Sequence, residues 1–521
     1  MKKIPQPHQA EALEAINKND EGQIHLPTAS GKTLIQANAI LYNFDKGREW
    51  IRDNYNNEGV PVFVVLSPRI LLSNQLFKDI RDIIIDEKLD AHYLIVHSGK
   101  TSDDKNREWS PDLPYRQLKS TTKTSVIREE YDKAKEENVP LIIFGTYDSA
   151  ERISSSHIPV YLTCCDEAHY LVSREFSYIA DEDGLKFFPS HRKYYFTATP
   201  KETISDEGLG LNNFTKFGHI IYTKTPLEMI KAGIIVRPRI HLIDISSSSE
   251  KADEITRDVN AILDGFTEHL MFVSSGAKLL VVTKGSEHLN DVVTHPKMRN
   301  FLERRPNMRI FDISSAYNPR INGVVVTREQ FLNDLQGLTD RDEAIIFHIN
   351  ILSEGIDVPG ITAVMPMNSM GMGKLLQTLG RATRLHPIDR GKIYAGQMKY
   401  DELDRFIKPY AWIIIPVYGM IGTDLMIGIS EIIYRLRGFG FRSSEDVVIR
   451  EDRGRTLPKS LESINHRDTR AKALLDSLME IEHIIEEKEI ADRIAIEDFK
   501  EADRISKMDF DELVETAKKL F

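Results

Sequence analysis

Leu26-Pro27-Thr28-Ala29-Ser30-Gly31-Lys32-Thr33 stands between the apolar run Gln23–Leu26 and an apolar helical pattern that opens at Leu34. A strand that turns through small residues into a helix gathers backbone N–H groups and the positive end of the helix dipole at one point, which suits a polyphosphate. Gly31 lets the backbone approach closely, Lys32 offers a point charge to the β and γ phosphates, and Thr33 brings a hydroxyl for magnesium. The strict pattern G-x-x-x-x-G-K-[ST] would place Gly at position 26, where the chain has Leu26. Taken alone, the stretch is therefore either a phosphate cradle or a Gly-containing turn before a helix, and its surroundings must decide.

Working outward, short apolar runs alternate with amphipathic helical patterns. Gln23–Leu26, Val62–Leu66, Leu94–His97, Leu141–Gly145, Val160–Cys165 and Tyr194–Thr197 read as buried strands. Arg237–Ile243, Leu279–Thr283, Met308–Ile313, Ala344–Ile349, Ala363–Met367 and Ala411–Pro416 form a second series. Strands alternating with helices predict parallel sheets covered on both faces. The expected class is α/β, with two tandem parallel-sheet domains, 1–233 and 234–420, facing each other across a cleft, and a mainly helical extension over 421–521. A polar stretch between His97 and Val139 reads as a solvated insertion. The tail from about Leu461 carries Leu474, Leu475, Leu478, Ile481, Ile484 and Ile485 on one helical face, which predicts a helix pair packed on the body.

A chain of 521 residues exceeds one core, and 41% hydrophobic with 28% charged residues describes an ordinary globular protein. The net charge of −11 argues against a broad basic face coating nucleic acid, but not against a cleft that grips a few phosphates. Cys164 and Cys165 are adjacent in an apolar strand and suit neither a disulfide framework nor a zinc site. The N-terminus carries no apolar signal-like region and no run reaches the length of a membrane span, so a cytoplasmic setting is expected.

Two further groups carry chemistry. Asp166-Glu167-Ala168-His169 follows Val160–Cys165, which brings both carboxylates to the carboxyl end of a strand, where open α/β sheets place ligands. There Asp166 would hold magnesium through water and Glu167 would orient and deprotonate an attacking water. In the second series, Gln377-Thr378-Leu379-Gly380-Arg381-Ala382-Thr383-Arg384 reads as a helix start, with Arg381 and Arg384 on one face so that both can point at a single anion. Across a cleft they would act as arginine fingers, an effect of about 10³–10⁵ in rate.

Residues 27–33 resemble motif I of superfamily 2 helicases, usually P-T-G-S-G-K-T, with Ala29 where Gly is more common; the leading Gly is often missing in that family. Asp166–His169 then resembles the family's DEAH box, and 377–384 its last motif. Several roles are what the resemblance implies. His169 with Thr197 and Thr199 would sense nucleotide and couple the domains, although on their own the two threonines are hydroxyls satisfying a strand-end turn. Gly355 and Asp357 in Leu352–Gly360 would bridge nucleotide and nucleic-acid backbone. Pro68 and Arg69, with Gln75 beyond, and Thr146-Tyr147 would grip the strand. Gln9 of Pro7-His8-Gln9 resembles the adenine-reading Gln, with Gln6 where an Arg is usual. Thr28, Ala29, Ser30, Gly31, Lys32 and Thr33 would cradle ATP, with Thr33 and Asp166 on Mg2+.

The resemblance covers roughly residues 5 to 420 and is strongest to the DNA-directed branch with type III restriction motors, XPB-like proteins and UvsW-like phage helicases. DEAD-box RNA helicases would show Asp at position 169. The expectation is an ATP- and magnesium-dependent helicase or translocase acting on DNA, with an RNA helicase, an ATP-gated clamp without turnover, and the motor subunit of a restriction complex as alternatives. The acidic tail, with Glu486, Glu487, Glu489 and Asp492, favours a protein partner over DNA.

Overall fold

The computed structural model describes residues 5–99, 118–173, 175–181, 188–202, 210–244, 253–273, 276–314, 316–349, 358, 360–367, 378, 380–417, 432–433, 436–439 and 441–450, with 476, 479, 482 and 483 of the tail. The first sheet contains β1 (Glu21–His25), β2 (Val62–Ser67), β3 (His92–Val96), β4 (Lys119–Thr121), β5 (Leu141–Thr146), β6 (Val160–Asp166), β7 (Arg192–Thr197) and β8 (Ile220–Thr223). Their order is β4-β3-β5-β2-β6-β7-β1-β8, parallel throughout.

The register explains why the sequence motifs meet. His25 pairs with Thr197, Asp166 with Phe196, Leu66 with Cys165, and Ser67 with Thr146. The carboxyl ends of β1, β2, β5, β6 and β7 therefore lie level along one edge, where parallel sheets place ligands. Two apolar layers cover the sheet. Ile35, Ile40, Phe77 and Ile80 pack on one face with Phe63 and Phe144, while Val64, Leu66, Ile143, Ile127 and Tyr131 lie on the other. Each such side chain stabilises the fold by about 1.5–3 kcal/mol.

The second sheet contains β9 (Arg237–Asp244), β10 (Lys278–Val282), β11 (Arg309–Ile313), β12 (Arg320–Ile321), β13 (Val324–Val325), β14 (Ala344–His348), β15 (Ala363–Pro366), β16 (Tyr410–Val417) and β17 (Val447–Arg450). The order is β13-β12-β11-β14-β10-β15-β16-β9-β17, parallel except for the β11-β12-β13 meander at its edge. Both sheets are of the parallel α/β kind expected, with apolar layers on both faces of each.

Three features differ from the sequence reading. The polar stretch before Val139 is not all solvated loop: it holds β4 and the helix Thr124–Glu136, which buries Ile127, Tyr131 and Ala134 at helical spacing among charged neighbours. Edge strands β8, β12 and β13 are short and partly exposed, so they lack the continuous apolar run that marks a central strand. The second sheet also continues past residue 420, because β17 pairs with β9 from Val447 to Arg450. Beyond it, Asp476, Met479, Glu482 and His483 are helical, and a carboxylate oxygen of Glu482 accepts from the backbone N of Ser443 at 2.8 Å. The apolar tail positions 474, 475, 478, 481, 484 and 485 lie outside the described residues. No helix among the described residues is long and apolar enough to cross a membrane.

Candidate active site

The loop after β1 has two residues in left-handed backbone conformation, Ala29 at φ 71° and Gly31 at φ 81°. That alternation turns successive N–H groups toward one concavity, the geometry of an anion nest. It also explains why Gly is the more usual residue at position 29, since an L-residue is strained there. Gly31 caps α2 (Lys32–Tyr42), and Lys32 Nζ donates to the carbonyl of Leu26 at 3.2 Å, across the mouth of the loop.

From behind, α1 (Pro7–Lys18) braces this loop. A ring nitrogen of His8 lies 2.8 Å from the Ser30 carbonyl, to which Gln9 Nε2 also donates at 3.1 Å, while Gln9 Oε1 accepts from Gln6 N at 2.9 Å. Both ends of the Gln9 amide are thus engaged within the protein, against the loop. The helix itself is held by β7: Arg192 Nη2 donates to the carbonyls of Ile16 and Asn19, and Tyr194 Oη donates to the same pair.

Beside the loop, Asp166 ends β6 and is buried. Gln36 Nε2 donates to its Oδ1 at 2.8 Å. Burial, and secondarily the charge of Glu167, push the Asp166 carboxyl up to about 7, against the pull of Lys32 and Gln36. A buried acid in that state calls for more positive charge than Lys32 supplies. Gln36 Oε1, on the side chain that bonds Asp166, is buried with no hydrogen-bond partner, as is Ser30 Oγ in the loop. The Asp166 carboxylate and the orphaned Gln36 amide oxygen are hard oxygen donors of the kind that suits Mg2+.

Glu167 adopts φ 51°, a strained conformation for a non-glycine residue that turns its side chain at the strand end. Its Oε2 lies 3.4 Å from His169 Nδ1, and that nitrogen lies 3.1 Å from Thr197 Oγ1 and 3.3 Å from Thr199 Oγ1. Thr199 N donates to Thr197 Oγ1 at 3.1 Å. Burial holds the His169 pKa below its ordinary value. His169, Thr197 and Thr199, separate in sequence, are therefore one hydrogen-bonded cluster, with the Glu167 carboxylate beside its imidazole.

The expected strand-gripping residues divide. Pro68 is buried, Arg69 is exposed at the start of α4 (Ile70–Asp86), and Gln75 is half-buried on that helix. Thr146 is buried and its Oγ1 bonds Ser149 Oγ at 3.0 Å. Tyr147 does not line a surface: its ring is fully buried and its hydroxyl donates to the main-chain carbonyl of Asp166. The aromatic ring fills a core position beneath the acid.

From the second sheet, residues 380–382 are helical and reach the phosphate loop. A Cβ at Gly380 would sit 2.3 Å from Thr28 Cβ, so only glycine allows this approach. Ala29 packs against the apolar group that includes Ile235, Leu242 and Ile413 of the second sheet. Arg381 is near His348, the last residue of β14, where burial and then the Arg381 charge push the imidazole down to about 3. Arg384 lies past the end of the helical residues 380–382 and pairs with Ile235 in an antiparallel bridge, so the two arginines do not share one helical face as their spacing predicted. Gln377, Gly355 and Asp357 lie outside the described residues. Sequence reasoning missed His8 and Gln36; the latter stands one helical turn after Lys32, a spacing that puts both on one face.

Residues 2–202 match the family model described as type III restriction enzyme, res subunit. No curated protein matches the chain in sequence. Among solved structures, the chain is similar to the ATP-dependent type ISP restriction-modification enzyme LlaBIII bound to DNA, with TM-score 0.57 and 16% identity over 84% of this chain and 30% of that one. It is also similar to a nuclease-deletion mutant of the type ISP enzyme LlaGI in complex with a DNA substrate mimic, with TM-score 0.52 and 18% identity over 84% and 29%. A fragment described as an HsdR subunit of a type I restriction enzyme from Vibrio vulnificus YJ016 follows, with TM-score 0.50 and 16% identity over 86% and 69%. The chain thus spans about 30% of the length of the first two. At these identities the likeness is one of fold: two RecA-like sheets.

Proposed function

We propose that this chain is a superfamily 2 helicase, an ATP- and magnesium-dependent motor that translocates on or separates nucleic acid, with DNA as its track. The observation that carries the reading is the approach of Gly380 onto Thr28, which puts the arginine-bearing segment of one sheet at the phosphate loop of the other. Lys32 and the loop amides of residues 28–33 hold the triphosphate, with Gln9 bracing the loop. Thr33 and Asp166 hold Mg2+, which when bound neutralises developing phosphate charge. Glu167 orients the attacking water and takes its proton. Arg381 and Arg384, with Gln377 ahead of them, stabilise charge on the transferred phosphoryl group. His169, Thr197 and Thr199 pass the state of Glu167 along the edge toward Arg69, Gln75 and Thr146, where the strand runs, and Gly355 and Asp357 bridge nucleotide and nucleic-acid backbone. Closing on ATP and reopening after hydrolysis then gives stepping with alternating grip.

We assign residues 1–233 to the first domain, the following residues as far as β17 (Val447–Arg450) to the second, and the tail beyond it to an extension that meets a protein partner. DNA is favoured over RNA because the DEAH spelling and the type III restriction match agree with neighbours whose structures hold DNA. The same neighbours favour a second reading as the motor part of a restriction assembly, with any nuclease supplied elsewhere. A clamp without turnover is disfavoured by Glu167, since binding alone needs no water-activating carboxylate.

Steady-state ATPase measured with single-stranded, duplex and forked DNA and with RNA tests the reading. DNA should stimulate more than RNA, and Glu167→Gln should lower kcat by about 10²–10⁴ while nucleotide still binds. Unchanged turnover in that variant removes Glu167 as the base.

A further inference from the structure

Directly behind the arginine segment lies a lysine that the mechanism above does not use. Lys408, just before β16, is fully buried, and its ammonium donates to the carbonyls of Ile361 at 3.0 Å, Ala382 at 2.7 Å and Arg384. A helix end leaves carbonyls without intrahelical partners, and a cation there answers both the missing hydrogen bonds and the negative end of the dipole. Two further carbonyls of the segment are satisfied as well: that of Thr383 accepts from Val236 N at 2.8 Å, and that of Gly380 from Thr383 Oγ1 at 3.2 Å. Lys408 is itself anchored, since the buried Asp389 carboxylate accepts from the backbone N of Ile407 at 2.9 Å and of Lys408 at 3.0 Å. Three strands of chain, the entry to β9, the loop before β15 and the loop before β16, thus converge on residues 380–384.

We infer that Lys408 is a positioning residue for ATP hydrolysis: by clamping the carbonyls of Ala382 and Arg384 it sets the direction in which Arg381 and Arg384 face the triphosphate. The inference rests on the proposed ATPase reading and names a residue for it that touches neither ATP nor metal. A hydrocarbon such as Leu or Met would fill the same space but leave three buried acceptors unpaired, so the segment would relax toward other donors. A shift of about 1 Å in a group that must meet a reacting centre costs about 10²-fold in rate.

Protonation adds a signature. Burial pushes the Lys408 ammonium down to about 7; Asp389 opposes this, and Arg384 and Lys278 add to it. His386, ahead of the helix Pro387–Tyr394, faces the same group, and Asp340 lies beside His386 and Lys278. A neutral amine offers two N–H donors instead of three, so turnover should fall as pH rises through about 7. Removing the Asp389 charge should move that fall to lower pH.

The test compares wild type, Lys408→Met, Lys408→Arg and Asp389→Asn in DNA-stimulated ATPase, with binding of a fluorescent ATP analogue as a count of intact sites. Lys408→Met should lose about 10²-fold in kcat per binding site with KM for ATP within about threefold, and its alkaline fall should disappear. Lys408→Arg should recover part of the loss. Asp389→Asn removes the charge and one of the two oxygen acceptors, so turnover at low pH should drop in part while the fall itself is displaced downward in pH, a displacement that a merely structural role would not produce. Full kcat in Lys408→Met, or an alkaline limb unmoved in Asp389→Asn, overturns the inference while the ATPase reading stands. A wild type without ATPase removes both.

Discussion

Replacing Gly380 by Ala puts a methyl group where Thr28 already stands. The added Cβ would lie 2.3 Å from Thr28 Cβ and Cγ2 and 2.8 Å from its Oγ1. Carbon atoms pack at about 3.5–4.0 Å, so the segment must retreat by more than about 1 Å. The phosphate loop has little freedom to yield, being bent through left-handed Ala29 and Gly31 and held at Ser30 by His8 and Gln9. The retreat therefore falls on the arginine segment, and misplacement by about 1 Å costs about 10²-fold in rate, equivalent to about 2.7 kcal/mol of transition-state stabilisation. Steady-state ATPase with DNA should show kcat lowered by that factor. Affinity for a fluorescent ATP analogue should stay within about threefold, because the loop is untouched. Thr28→Gly in the same chain removes the obstructing carbons and should restore most of the loss, giving a coupling energy above about 1 kcal/mol in the double-mutant cycle. Wild-type kcat in Gly380→Ala, or strictly additive losses in the pair, would refute the idea that these two segments meet in the working enzyme.

Tyr147→Phe should cost about 1–3 kcal/mol in urea unfolding, because the buried carbonyl of Asp166 loses its donor. Nucleic-acid affinity should be unchanged, and the opposite pattern would return Tyr147 to the strand-binding surface. Ala29→Gly relieves a left-handed alanine worth about 1–2 kcal/mol but adds chain freedom worth about 0.5–1 kcal/mol. Thermal unfolding should therefore show stability equal or up to about 1.5 kcal/mol higher, and a clear loss would contradict the strain. Cys164 and Cys165 are fully buried, and burial pushes both thiols up, Cys165 to about 12. At pH 8 a thiol reagent should label neither until the protein unfolds, whereas rapid labelling of the native chain would show that β6 opens.

Much of the first domain could be read without coordinates because its strands are central. Val62–Leu66, Leu141–Gly145 and Val160–Cys165 are covered on both faces and so appear as continuous apolar runs. Strands that lie at an edge, such as Ile220–Thr223 and Val447–Arg450, carry a weaker pattern because one side meets solvent or a single neighbour. The helix Thr124–Glu136 was hidden in the same way, its three apolar positions diluted by a charged outer face.

Local features, then, were legible from residues alone: which loop of small residues leads from a strand into a helix, and which carboxylates end a strand. Spacing along the chain encodes these because each depends on one turn or one strand end. Tertiary structure decided what depends on pairing across the fold. Tyr147 is a buried strut under Asp166, His169 joins Glu167 to two threonines, Gln36 bonds the acid, and Lys408 ties off the arginine segment. No periodicity records those contacts, since register between strands and the approach of two sheets set them, and a buried polar group shows its partner only when the chain has closed around it.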